Sequence, residues 1–104
     1  MPATMSTRVA LLVIYTERMV ECVAFYRGLG LEFVVEQHRH GPLHHAAVLS
    51  DGTVFEIYPA TERRPSSALR LGFAVDGVAV QPPLKPGRHV LTDPDGRAVE
   101  VHAA

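Results

Sequence analysis

A chain of 104 residues with a formal charge of −1 can bury one modest core and not two. The near-balanced charge removes the basic field that a nucleic-acid partner needs, and a single cysteine, Cys22, excludes an internal disulfide. The start MPATMSTR has no apolar core like that of a signal peptide, and no apolar run is long enough to cross a bilayer. A cytoplasmic protein with neither membrane nor nucleic acid as partner is the expectation.

In chain order, RVALLVIY (residues 8–15) reads as a buried strand. Thr16 is placed to cap a helix with Glu17 in its first turn, and ERMVECVAFYRGLG sets Met19, Val23 and Tyr26 on one apolar stripe beside Cys22, Phe25 and Leu29. Gly30 ends it. LEFVVEQHRH returns to period two, with Phe33 and Val35 on one face and Val34, Glu36, His38 and His40 on the other. HHAAVLS and TVFEIY flank Asp51-Gly52, a two-residue hairpin signal. The first module is therefore β-α-β-β-β. After the polar connector ATERRPSSA, LRLGFAV is a strand, and VQPPLKPG is too rich in proline for helix or central strand. RHVLT and RAVEVH make a last hairpin around DPDG.

The chain repeats itself. DGTVFEIYPA and DGRAVEVHAA share an Asp-Gly turn and one glutamate in an apolar run, so Asp51, Gly52 and Glu56 fall where Asp95, Gly96 and Glu100 fall. RVALLV likewise matches RLGFAV, each headed by an arginine. The second copy is shorter by roughly 18 residues, about one helix plus a short strand.

A strand, a helix ending FYRGLGL, then DGTVFEIYP, with a second half opening LGFAVDGV and ending DPDGRAVEVH, resembles the vicinal-oxygen-chelate superfamily. That group includes glyoxalase I, extradiol dioxygenases, methylmalonyl-CoA epimerase, fosfomycin-resistance enzymes and bleomycin-resistance binding proteins. The resemblance covers the chain from Arg8 to His102. It implies an α+β fold in which two βαβββ-type modules, the second without its helix, curl mixed sheets around a cavity commonly completed by a homodimer. Module one is expected at about residues 8–59, a linker at 60–68 and the truncated module two at about 69–104, all in one domain.

In metal-dependent members the ion is held at the head of each module's first strand and the middle of its last, which the resemblance carries onto Arg8, Glu56, Arg70 and Glu100. The glutamates match. The arginines do not, because a guanidinium stays charged and has no lone pair for a metal. It does suit a carboxylate, through two parallel hydrogen bonds. The expected site is thus two ion pairs, Arg8 with Glu56 and Arg70 with Glu100, or else two arginines free for an anionic ligand.

EQHRHGPLHH holds four of the six histidines in no structural-zinc spacing. A two-residue loop at Asp51-Gly52 sets Ala47 opposite Glu56 and His45 opposite Tyr58, on one sheet face. His45 and Glu56 are then the candidate acid/base or ligand couple, with His38 and Glu36 nearby; a solvated hairpin is the bland alternative. His is suited to such work because it titrates near neutral pH.

Three functions compete. The favoured one is a non-metal, non-catalytic binder of a small organic molecule, without cofactor, lined or supported by Tyr58, Phe73, Leu12 and Tyr26. The second is a lyase, isomerase or dioxygenase with a rebuilt divalent site (Zn, Ni, Mn or Fe) drawn from His45, His38, Glu56 or Glu100. The third is a dimeric interaction module with no small ligand.

Overall fold

The computed structural model describes residues 7–104, so the reading of residues 1–6 lies outside it. The first apolar run forms β1, Leu11–Thr16, leaving Arg8 ahead of the strand rather than in it. The helix α1 spans Met19–Gly28 and starts later than its sequence signal. Thr16 does not cap it: its hydroxyl accepts the Arg18 N–H at 2.8 Å, Arg18 stands at the N-cap position without a side-chain bond, and Glu21 is the acid of the first turn. Cys22, Val23 and Tyr26 are buried as the helical period requires, and Gly30 turns the chain at φ +109°.

Three strands complete the first module: β2 (Val34–Glu36), β3 (His44–Val48) and β4 (Val54–Pro59). They form one sheet with β1 in the order β1-β4-β3-β2, where β1 runs parallel to β4 and the other pairs are antiparallel. The second module has β5 (Leu71–Val75), β6 (Gly87–Thr92) and β7 (Ala98–Ala103) in the order β5-β7-β6, again with the first and last parallel. The repeat is therefore real at the level of topology. A single 3-10 turn, Gly77–Ala79, stands where the first module has its helix, and β2 has no counterpart.

Gly77 is needed for packing rather than for backbone freedom. A methyl group there would collide with the Leu84 carbonyl oxygen and crowd Ala103. That carbonyl belongs to the residue whose N–H Gly77 accepts at 2.9 Å.

The sheets share one core. Phe55 and Ile57 of β4, Cys22 and Tyr26 of α1, and Val99 and Val101 of β7 are almost wholly buried in a single cluster. Tyr26 meets Phe55 with centroids 5.1 Å apart and Phe73 of β5 at 6.0 Å. Below them the turn after β6 supplies a buried polar bridge. Arg97 donates to Asp93 and Asp95, both at 2.9 Å, and to the Tyr15 carbonyl at the end of β1. The Tyr26 hydroxyl donates to Asp93 at 2.6 Å and the Cys22 thiol to Asp95 at 3.3 Å. Burial works to raise the Asp93 pKa, but the Tyr26 and Arg97 hydrogen bonds overcome it and hold the carboxyl below its ordinary value.

Because strand side chains alternate, burying one face of each sheet leaves the other outward. The outer face of the four-stranded sheet carries Leu11, Val34 and Val48, all exposed, with Glu56 between them; that of the three-stranded sheet carries Val90 and Glu100. Among the described residues the two sheets do not close a cavity. Among the described residues no helix is long and apolar enough to cross a membrane.

Candidate functional site

The geometry of the site turns on one loop. Ser50, Asp51 and Gly52 form a three-residue connection between β3 and β4, closed by Gly52 N–H to the Leu49 carbonyl at 2.9 Å and Leu49 N–H to the Thr53 carbonyl at 2.8 Å. Gly52 takes the left-handed conformation, φ +90°, that ends such a turn. The Asp51-Gly52 pair is therefore not a two-residue loop, and the register moves by one. His45 faces Ile57, Ala46 faces Glu56 and Ala47 faces Phe55. A slip of one residue transfers every side chain to the other sheet face.

The expected couple of His45 with Glu56 is thereby corrected. His45 lies on the core side, where burial first and then the Arg27 charge hold its imidazole below the ordinary value. His44 takes its place beside Glu56. Its ring is buried, 1% exposed, and stacks on Tyr58 with centroids 4.1 Å apart and planes 9° from parallel. Tyr15 follows at 5.9 Å from Tyr58, and His38 lies 5.0 Å from His44 on the other side.

Nδ1 of His44 lies 3.2 Å from the Pro42 carbonyl, an atom that can only accept, so Nδ1 carries a proton. Nε2 is then turned to two carboxylates, 3.3 Å from Glu36 Oε1 and 3.5 Å from Glu56 Oε2, and has no hydrogen-bond partner. His38 Nε2 stands 3.6 Å from the same Glu36 oxygen. The β2–β3 turn folds His38 back over the sheet, with Arg39 at φ +56° and Gly41 N–H on the His38 carbonyl at 2.9 Å. His40 takes no part in the cluster.

The two expected ion pairs fare differently. Arg8 does not meet Glu56: its Nη1 donates to the Val9 carbonyl at 2.9 Å and to Thr53 Oγ1 at 3.4 Å. Its position ahead of β1 explains this, because Val13 is the β1 residue opposite Glu56. Arg70 does meet Glu100, at 3.3 Å, and a second arginine that the sequence did not disclose, Arg88 of β6, binds it at 2.6 Å. His102 adds a contact at 3.1 Å. The Arg88 hydrogen bond, with Arg70 and His102 behind it, brings the Glu100 carboxyl down to about 2.

The four positions that hold the ion in metal-dependent members do not fit one here. Two are guanidinium groups without a lone pair, and Glu100 is already bound by Arg70 and Arg88. Glu56 and Glu100 lie on different sheets and share no partner. Phe73, Leu12 and Tyr26 also leave the candidate lining. They pack in or against the core, and Phe73 borders a cleft of about 600 Å³ between Leu29, Leu49 and β5, which none of Glu36, His38, His44 or Glu56 lines.

No family model matches the chain, and no curated protein matches it by sequence. Solved structures do. An antibiotic-binding protein, TnmS3 from Streptomyces sp. CB03234, superposes with a TM-score of 0.65 at 16% identity over 97% of this chain and 98% of that one. A lactoylglutathione lyase from Agrobacterium tumefaciens gives 0.61 at 16% identity over 97% and 96%. A glyoxylase/bleomycin resistance protein/dioxygenase domain from Frankia sp. EAN1pec gives 0.61 at 13% over 97% and 93%. The chain has the fold of the vicinal-oxygen-chelate superfamily.

Proposed function

We propose that this chain, a vicinal-oxygen-chelate fold whose second-module carboxylate is enclosed by arginines, is a binding protein for a small organic molecule. The observation that carries this reading is the enclosure of Glu100 by Arg70 and Arg88. It removes one of the two carboxylates on which the superfamily's shared metal chemistry depends. The receiving surface is the outer face of the four-stranded sheet, where Tyr15, Tyr58 and His44 form an aromatic platform beside apolar Leu11 and Val13. Flat rings held at such spacing favour a planar, partly aromatic ligand. A second copy of the chain closes the cup by covering that face, and its large exposed residues Leu11, Val34 and Val48 are the apolar area it would bury. Location in the cytoplasm, with neither nucleic acid nor membrane as partner, belongs to the same reading.

The test is a thermal-shift and calorimetric screen of planar aromatic acids and amides, in chelator, with Tyr58→Ala beside the wild type. Saturable binding that Tyr58→Ala weakens at least tenfold supports the proposal. Binding unaffected by Tyr58→Ala, or none across the screen, removes the platform as the ligand surface.

A second reading, a divalent-metal-dependent enzyme of the same fold, is favoured by one observation: the buried, unpartnered Nε2 of His44 between two carboxylates. Metal-dependent turnover abolished by loss of that nitrogen would put it first.

A further inference from the structure

We infer that Glu36, His38, His44 and Glu56 form a divalent transition-metal site, built on β2, β3 and β4 of the first module and independent of the second. This goes beyond the ligand-binding reading and does not rest on it. Three of the four donors come from segments that the superfamily's usual ligand positions do not include.

The argument begins with His44. Its Nδ1–H is committed to the Pro42 carbonyl, so in the neutral ring it is Nε2 that carries the lone pair. A metal-bound imidazole is held in this way, with its far nitrogen donating to a carbonyl that fixes tautomer and orientation. Stacking on Tyr58 fixes the ring plane as well. The lone pair meets only acceptors: Glu36 at 3.3 Å and Glu56 at 3.5 Å. Three electron-rich groups converging on one buried point, with no hydrogen bond to the nitrogen, call for a cation among them.

The spacing suits one. Donors about 2.0–2.1 Å from a tetrahedral zinc lie roughly 3.3–3.4 Å from each other. The close pairs here are 3.3, 3.5 and 3.6 Å, and all four donor atoms lie within 4.8 Å of one another. The widest separation, at most 4.8 Å, therefore closes by up to about 1.5 Å or accommodates a higher coordination number. Two imidazoles with two carboxylates select a borderline ion such as Zn²⁺ or Co²⁺ over Mg²⁺ or Ca²⁺, which prefer oxygen alone. His44 and Glu56 anchor the buried side, while Glu36 and His38 are 38% and 70% exposed. The ion would thus be reachable from the open sheet face.

The exposed pair makes the inference testable without threatening the fold. Untagged full-length chain, stripped with chelator and desalted, is titrated with Zn²⁺ by calorimetry and with Co²⁺ by visible absorption, with no organic compound present. His38→Ala and Glu36→Gln are compared with His89→Ala, whose imidazole sits on the Lys85 carbonyl away from the cluster. Circular dichroism verifies that each is folded. One ion per chain, weakened at least tenfold by His38→Ala and by Glu36→Gln and untouched by His89→Ala, is the expected result. No stoichiometric uptake by the wild type overturns the site. So does uptake that both cluster variants leave unchanged, or that His89→Ala removes.

Discussion

His44 lies flat against Tyr58, with centroids 4.1 Å apart and planes 9° from parallel, although the two come from neighbouring antiparallel strands and one is fully buried. A stacked pair of this kind contributes about 0.5–1.5 kcal/mol beyond its area. Tyr58→Leu is expected to lower stability by about 1 kcal/mol and Tyr58→Phe by far less, read from urea midpoints at constant slope.

Arg97 is 3% exposed and carries two ion pairs and two backbone-carbonyl contacts. Removing one partner of a buried pair leaves charge uncompensated and costs about 3–5 kcal/mol. Arg97→Ala should therefore unfold much of the population at room temperature, as seen by near-ultraviolet dichroism. Arg64→Ala, in the exposed linker, should not.

Acid should loosen the second module in a definite window. Glu100 falls from the ordinary 4.5 to about 2 through Arg88, Arg70 and His102, and Asp93 is also held low in the folded chain. A carboxyl depressed on folding adds stability that is complete above its unfolded value and disappears as pH falls through the folded one. Urea midpoints should thus fall between pH 4.5 and about 2, beneath the separate loss that His45, also held low in the folded chain, adds as pH drops below 6.5. Arg88→Ala should shrink the Glu100 share of that fall. A midpoint independent of pH across the window would contradict the pairing.

Gly77→Ala should be costly for a change of one methyl group. The new carbon meets the backbone oxygen of Leu84, which cannot rotate away as a side chain can. Overpacking of this kind costs about 1–3 kcal/mol, so a clear drop in thermal midpoint is expected. Gly72→Ala, where the nearest atom is 3.8 Å away, serves as the comparison and should be close to neutral.

Cys22 should be inert in the folded chain. Burial, reinforced by Asp95 against the Thr16 contact, pushes its thiol up to about 11, so little thiolate exists at neutral pH. Reaction with a thiol reagent should be slow in buffer and fast in urea. Rapid labelling of the native chain would mean that the α1 end opens.

The architecture was legible because two signals agreed. The apolar stripe of α1 and the duplicated Asp-Gly-x-x-x-Glu register both survive in the fold, down to the turn itself. Gly96 N–H on the Asp93 carbonyl, with φ +88°, repeats Gly52 on Leu49 with φ +90°. The register of β3 was not legible, and the reason is physical. His44-His45 and Ala46-Ala47 place equal residues on both faces, so alternation cannot say which histidine points inward. Only the loop length decides, and Asp-Gly ends a three-residue turn as readily as it forms a two-residue one. Arg88 was missed for a related cause: β6 sits after a proline-rich connector, so nothing local ties it to Glu100 twelve residues on.

The two modules are copies in topology but not in autonomy. The Tyr26 hydroxyl of the first half donates to Asp93 of the second, the Cys22 thiol reaches Asp95 there as well as Thr16 in its own half, and Arg97 of the second reaches back to the Tyr15 carbonyl. Neither half has a complete interior alone. A chain severed within the exposed linker, residues 60–68, should therefore behave as two fragments that are each unstructured and fold on meeting. The duplication has yielded one cooperative unit, in which the peptide connection matters less than the interface.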